Sequence, residues 1–423
     1  MIQSRNNPKF YLALVIFSLV GQVAWVMENM YLNVFIYKMF HASAQQISLM
    51  VAASAVAATV TTLLMGALSD KLGKRKIFIC GGYIAWGISI LAFALLRTEW
   101  IGALNLCITL TILLDCVMTF FGSSANDAAF NAWLTDATDD TNRGKIEGIN
   151  AMMPLVAILV VFGGFMSLNQ DLQESWTVIF CVIGAIVLAL GVAGFFLIEE
   201  RTLRSEENQN YFANIFYGFR PSVIRSNLPL YGTLLALALF NISIQIYMPY
   251  LILYYQVSLG MEDYVLIFAP AIIVAAAFTG LYGKVFDQKG FRFAILPTLG
   301  LLAGGFVGLY FFRDTLMVFL SSLVMMCGYL GTGAMLGAQI RCVTPAKKAG
   351  MFQGLRIIGQ VLIPGVIGPA VGAAILSGAE MVANSDGTES FVPNENIFLG
   401  ALVALVITFV ALIPLFKLLK KQR

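Results

Sequence analysis

The sequence predicts an all-α polytopic membrane protein with twelve transmembrane helices in two six-helix bundles. Three observations carry this. The chain of 423 residues is 59% hydrophobic and only 12% charged, with a mean hydropathy of +0.84, so it lacks the polar skin a soluble protein of this size needs. Its apolar residues fall in blocks of about 20, the length that spans a bilayer as helix; strands of a closed barrel would be shorter and alternating. Its basic residues, finally, collect on one side of the membrane once those blocks are counted as spans.

In chain order the expected spans are 10–36, 47–69, 77–96, 101–134, 146–168, 177–198, 229–256, 264–286, 294–312, 316–340, 354–376 and 396–416. The fourth is long enough to include a cytoplasmic extension. "MIQSRNNPKF" leads into the first without a small-residue cleavage site, so that helix is expected to stay and act as the insertion signal. With the N-terminus inside, only Lys38, Arg97 and Arg313 fall outside, leaving 23 of the 26 Lys and Arg on the inner side. The positive-inside rule then places both termini in the cytoplasm. Adding or dropping one span would scramble that pattern.

The longest inner loop, from Glu199 to about Asn227, divides six spans from six. Its second part, "YFANIFYGFRPSVIRS", is amphipathic and basic, which predicts a membrane-lying helix. The expected organisation is an N-terminal bundle at 1–198, a cytoplasmic linker at 199–227 and a C-terminal bundle at 228–423. The halves echo each other. Gly66, Asp70 and Gly73 read G-x-x-x-D-x-x-G after the second span, and Gly283, Asp287 and Gly290 repeat it 217 residues later, after the eighth. Parallel repeats of six spans mark a transporter built from two rocking bundles.

Several function classes fall away. The single histidine, His41, rules out a histidine metal cluster or a Ser/His/Asp triad. The cysteines, Cys80, Cys107, Cys116, Cys181, Cys327 and Cys342, form no close pair, so neither a disulfide frame nor a metal knuckle is expected. There is no nucleotide-binding loop, hence no role for ATP. No cofactor, metal or nucleic acid is expected; the partners are a solute, a coupling cation and the lipid bilayer, and the chain is expected to be a monomer.

Charge inside the membrane costs a few kcal/mol per residue or more and marks function. Glu28, Asp115 and Asp127 lie within spans of the first half, and the second half has no such acid. On the first span Gln22, Trp25, Glu28, Asn29 and Asn33 recur at three- and four-residue steps, which predicts one polar face. Trp25 suits stacking on a sugar ring, and the amides suit hydroxyls. Glu28 also lies near the outer end, where solvation is the competing reading. On the fourth span Asp115, Thr119 and Asn126 share one stripe, and Asp127 with Asn131 an adjacent one. Asp115 sits midway, where water is scarce and charge is disfavoured; it is either a proton carrier or a hydrogen-bonded lock between helices. The alternative for Asp127 is a packing or gate contact. Asp136 is read as a loop acid able to pair with Arg75 or Lys74, and Asp139 and Asp140 as solvated loop acids.

In the second half Asn241 and Gln245 of the seventh span are deep enough to line a cavity, with Tyr247 beside them, while Tyr254 and Tyr255 are read as an interfacial belt. Pro249 predicts a kink. Arg341 and Arg356 are expected to snorkel or gate at the cytoplasmic edge. Gly359, Gly365, Gly368 and Gly372, with Pro364 and Pro369, predict close packing and bending of the eleventh span.

The loop "GALSDKLGKRK" resembles the cytoplasmic signature of the major facilitator superfamily, G-x-L-x-D-x-x-G-x-[RK]-[RK], matched by Gly66, Leu68, Asp70, Gly73, Arg75 and Lys76. The resemblance implies the major facilitator fold and a gate formed by Gly66, Asp70, Gly73, Arg75, Asp136 and Asp287, in which the acid meets an arginine or a helix N-terminus. Within that superfamily the chain looks most like the glycoside–pentoside–hexuronide cation symporters. There an aspartate on the fourth helix holds sugar hydroxyls, an aromatic follows four residues later, and a loop arginine comes after. Asp127 stands at the first place, Asn131 at the second with Trp133 nearby, and Arg143 at the third. The family's sodium-site acids on the second helix are replaced by Ala58 and Thr62, and Gln360 is the nearest polar residue to its lysine on the eleventh.

The resulting expectation is a secondary transporter in the cytoplasmic membrane of a bacterium, moving a small polar solute, a sugar or glycoside by this resemblance, by alternating access. Trp25, Asn29, Asp127, Asn131, Asn241, Gln245 and Gln360 would bind the solute. Protons would couple through Glu28, Asp115 or Asp127. The alternatives are a drug or lipid exporter of the same fold, disfavoured by the amide-rich cavity, a non-transporting membrane sensor, which would need an output domain, and a membrane enzyme, for which no catalytic cluster is present.

Overall fold

The computed structural model describes residues 8–137, 143–199, 217–345, 349–384 and 386–420. Arg5, Asp139, Asp140, Arg201, Arg204, Lys347, Lys348, Lys421, Arg423, the start of the amphipathic linker segment and the side chains of Arg143 and Lys145 lie outside the described residues. Among those described, twelve helices are long and apolar enough to cross a membrane. In the first half they are α1 (Pro8–Phe40), α2 (Ala44–Leu72), α3 (Lys76–Leu95), α4 (Leu104–Asp136), α5 (Arg143–Phe165) and α6 (Gln173–Leu197). In the second half they are α7 (Leu228–Ser258), α8 (Tyr264–Lys289), α9 (Phe291–Phe311), α10 (Thr315–Val343), α11 (Gly354–Leu376) and α12 (Asn396–Lys420). Several run past the expected ends, because backbone hydrogen bonding continues after the apolar stretch has stopped.

The chain divides into two compact units, Met1–Ala42 with Val56–Ala213, and Ser43–Ala55 with Asn214–Arg423. Each repeats the same internal packing. In the first, α3 lies on α6 and α4, and α1 on α5 and α6. In the second, α9 lies on α12 and α10, and α7 on α11 and α12. The start of α2 belongs to the second unit. There the carbonyl of Ala44 accepts the Tyr250 hydroxyl at 3.0 Å, and Gly365 of α11 is close enough to Ala55 that a Cβ on it would come within 2.5 Å of the alanine Cβ.

Interruptions fall where the chain cannot sustain ordinary α-helix. Pro249 has no N–H to donate, and α7 passes through a tight 3₁₀ turn at Met248–Tyr250, as the kink predicted there requires. Wider π turns occur in α1 at Met27–Tyr31, in α4 at Ser123–Phe130, in α7 at Tyr254–Ser258 and in α11 at Ile358–Leu362. Between α11 and α12 a short hairpin pairs β1 (Met381–Ala383) with β2 (Glu389–Phe391), turning at Gly387 with φ of 81°. Of the linker, the described part forms a 3₁₀ turn at Tyr217–Phe219 and a six-residue helix at Pro221–Ser226.

The three basic residues expected outside, Lys38, Arg97 and Arg313, are each held. Lys38 meets Asp171 at 2.7 Å, and Arg313 meets Glu395 at 3.0 Å. Arg97 donates to the Thr177 hydroxyl at 2.8 Å and lies 5.0 Å from the Trp100 ring centroid.

Candidate functional site

In the first unit the expected single polar face of α1 is divided in two. Gln22, Trp25 and Asn29 remain half-buried or exposed, whereas Glu28 and Asn33 are buried. The cause is the π turn at Met27–Tyr31. A π turn adds a residue per turn, so positions five apart, Glu28 and Asn33, share a face, while the 3.6-residue period holds before it. Glu28 is therefore not the solvated acid its place near the helix end allowed. It is 6% exposed, and its carboxylate Oε1 accepts the Thr119 hydroxyl of α4 at 2.8 Å. Asp115, one turn before Thr119, is 2% exposed.

The π segment of α4 carries the residues first picked out by composition. Asp127 is half-buried, and its Oδ2 accepts the Ser123 hydroxyl at 3.1 Å. Asn131 is exposed, with its Nδ2 donating to the Asp127 carbonyl at 3.2 Å. Asn126, the neighbour of Asp127, is buried. Its oxygen accepts the Trp25 indole N–H at 3.4 Å, and its nitrogen donates to the Tyr83 hydroxyl of α3 at 2.7 Å. Asn29 and Asn33 turn their amide nitrogens back to the carbonyls of Trp25 and Asn29, both at 2.8 Å. Trp133 takes no part in this group: its indole donates to the Glu199 carbonyl at 3.3 Å, with its ring against Phe10 and Phe130.

Sequence reading missed Tyr83 and Ser123. Ser123 was within reach, since it lies one turn before Asp127. Tyr83 gave no signal beyond being one hydroxyl in an apolar span.

In the second unit α7 and α11 bring Asn241 to Gln360, and Gln245 to Gly368 farther along α11. Asn241 donates to the Gln360 carbonyl at 3.5 Å, and Gln360 is exposed with its Oε1 accepting from Arg356 Nε at 3.3 Å. Arg356 Nε thus reaches forward along α11 to Gln360. Gln245 packs on Gly368, where a Cβ would come within 2.4 Å of the glutamine Cβ. Tyr247 does not line a cavity. It is fully buried against Phe306 and Phe398. Tyr254 and Tyr255 are not a belt either: both are buried, donating to the Leu309 carbonyl and bonded to Ser322 respectively. The wider turn at Tyr254–Ser258 carries them into the packing between helices.

At the end of α2 the signature residues assemble around Arg75, which is 6% exposed. Its guanidinium meets Asp70 at 2.5 Å, Asp136 of α4 at 3.1 Å and the Ser69 hydroxyl at 2.6 Å. Gly73 takes φ of 61°, a left-handed turn that glycine adopts without strain and that brings Arg75 back toward Asp70. Gly66 faces open space. The second copy is built differently. Asp287 is exposed, Phe286 stands at the place of Ser69, and Arg292, the counterpart of Arg75, lies 5.6 Å from the Phe416 ring.

The family model of the Major Facilitator Superfamily matches residues 11–369. The chain belongs to this superfamily. It is a multi-pass membrane protein with the superfamily's transporter fold. A bacterial homolog to the human lysosomal transporter Spinster, in an inward-facing and unoccupied conformation, is similar with a TM-score of 0.76 and 16% identity, each chain covered to 99%. The nucleoside transporter NupG is similar with a TM-score of 0.70 and 14% identity over 96% of this chain and 98% of that one. The xylose transporter XylE from E. coli gives 0.68 and 14% over 95% and 97%. No curated protein sequence matches. At these identities the likeness shows the fold of this superfamily member.

Proposed function

We propose that this superfamily member is a secondary transporter of a sugar or glycoside, coupled to protons and working by alternating access. The observation that carries the reading is the pairing of α1 with α4. These two helices carry a half-buried indole, a half-buried carboxylate and exposed amides at Trp25, Asp127, Asn29 and Asn131, and the buried carboxylate of Glu28 on α1 is bonded to Thr119 of α4. An indole face with hydrogen-bonding groups beside it suits a ring whose edges are hydroxyls and whose face is C–H. Asn241, Gln245 and Gln360 offer amides of the same kind. Buried carboxylates that exchange a proton would tie solute movement to the proton gradient. Two structural neighbours, described as transporters of xylose and of nucleosides, carry cargo with a sugar ring, which is consistent with this reading.

The proposal extends to organisation and place: a monomer in the cytoplasmic membrane of a bacterium, with both termini cytoplasmic, and with bundles at 1–198 and 228–423 joined by the linker at 199–227. Uptake of a labelled panel of sugars, glycosides and nucleosides by expressing cells tests it. Accumulation of at least one member should collapse on adding a proton uncoupler. Energy-dependent efflux of apolar cations or lipids, with uptake of none of the panel, would overturn it in favour of an exporter.

A further inference from the structure

We propose that Asn126 is a positioning residue, whose side chain sets the orientation of the Trp25 indole and thereby the affinity of the site for a ring-bearing solute. The inference rests on the reading that Trp25 stacks on that solute.

The bonds in this group can run in only one direction. The Tyr83 hydroxyl donates its single proton to the carbonyl of Phe17 at 2.9 Å, so toward Asn126 it can only accept. Asn126 must then turn its NH₂ to Tyr83, at 2.7 Å, and its oxygen to Trp25. An indole N–H is a donor only, so that oxygen is the acceptor it requires. The chain of bonds leaves α1 at Trp25, crosses α4 and α3, and returns to α1 at Phe17. It passes directly over Gly21, where a Cβ would lie 2.3 Å from Asn126 Nδ2 and 2.6 Å from the Tyr83 hydroxyl.

The indole is also backed. The buried Trp86 ring lies 4.9 Å from it, centroid to centroid. Trp25 itself is only half-buried. One side of the ring and its N–H are thus fixed by the protein, and the remainder is left for a ligand. Fixing a recognition group before binding removes the cost of ordering it in the complex.

Binding of the glycoside identified by uptake, measured by calorimetry on purified protein, provides the test. Asn126→Leu keeps the volume but removes the acceptor. It should weaken binding about three- to tenfold, the range of one hydrogen bond. In a Trp25→Phe background no indole N–H remains, and the same substitution should change affinity by less than about twofold. If Asn126→Leu does not fold, Tyr83→Phe serves, since it removes the acceptor that orients Asn126. It should give a loss in the same direction, again absent in the Trp25→Phe background. Equal losses in both backgrounds, or no loss in either, would overturn the inference while leaving the transport reading intact. A wild-type protein that binds no glycoside overturns the transport reading first, and this inference with it.

Discussion

Thr119 of α4 donates its hydroxyl to the Glu28 carboxylate of α1 at 2.8 Å, across 91 residues of sequence. A carboxylate 6% exposed in a membrane-spanning helix is costly unless it is bonded or protonated. The Thr119 hydroxyl is a partner that can donate to a carboxylate or accept from a carboxylic acid. Thr119 can therefore serve both protonation states without moving, which suits a site that gains and loses a proton during a transport cycle.

Glu28→Gln should accordingly separate exchange from accumulation. In proteoliposomes, counterflow of the solute should persist at near wild-type rate, while uptake driven by an imposed pH gradient should fall to the level of the unenergised control. Wild-type accumulation in this variant would remove Glu28 from coupling and leave Asp115 or Asp127 as the carrier.

Asp127→Asn tests solute recognition. A hydrogen bond to a charged group contributes about 1.5–3 kcal/mol, so affinity should fall roughly tenfold or more. Ser123→Ala, which only frees the carboxylate from its hydroxyl donor, should have the smaller effect. Calorimetry on both variants decides. Unchanged affinity in Asp127→Asn would make the residue structural.

Arg75 joins Asp70, Asp136 and Ser69 through three different nitrogens. Lysine, a single point charge, cannot hold all three at once. Arg75→Lys and Asp70→Asn should each slow transport while equilibrium binding of the solute persists, because this group is separate from the residues of α1 and α4 proposed to bind it. Lost binding in a well-inserted variant would contradict that assignment.

Gly368→Ala would press a methyl to within 2.4 Å of Gln245 Cβ and 2.9 Å of its backbone carbonyl carbon. α7 and α11 would have to part. Overpacking of this kind costs about 1–3 kcal/mol, so the melting temperature in detergent should drop by several degrees. Gly337→Ala, where a Cβ meets open space, is the control and should leave it unchanged.

Glu389 lies exposed on β2. A single cysteine there should react with an impermeant reagent in intact cells, and one added after Arg423 should not. The opposite pattern would invert the proposed topology.

The sequence by itself determined the number of spans and the class of fold they build. Those signals are local. A block of about 20 apolar residues partitions into lipid wherever it sits in a fold, and a loop rich in Lys and Arg carries its topological preference with it. The signature around Asp70 and Arg75 was legible for the same reason, since its parts lie within one turn and a short loop.

Tertiary structure alone decided which polar side chains face inward and what they meet. Periodicity of 3.6 placed Trp25, Glu28 and Asn33 on one face, but a π turn at Met27–Tyr31 rotated Glu28 and Asn33 into the bundle and left Trp25 half-open. Pattern reading at a period of 3.6 assumes the absence of such a turn. The partners of these side chains were equally out of reach. Asn126 finds Tyr83 across 43 residues and Trp25 across 101, and nothing in any one helix specifies which face of another it will meet. Tyr254 and Tyr255 make the same point from the other side. An aromatic pair near a helix end reads as a membrane belt by composition, yet both hydroxyls are bonded inside the second unit, to partners 55 and 67 residues away that no local pattern indicates.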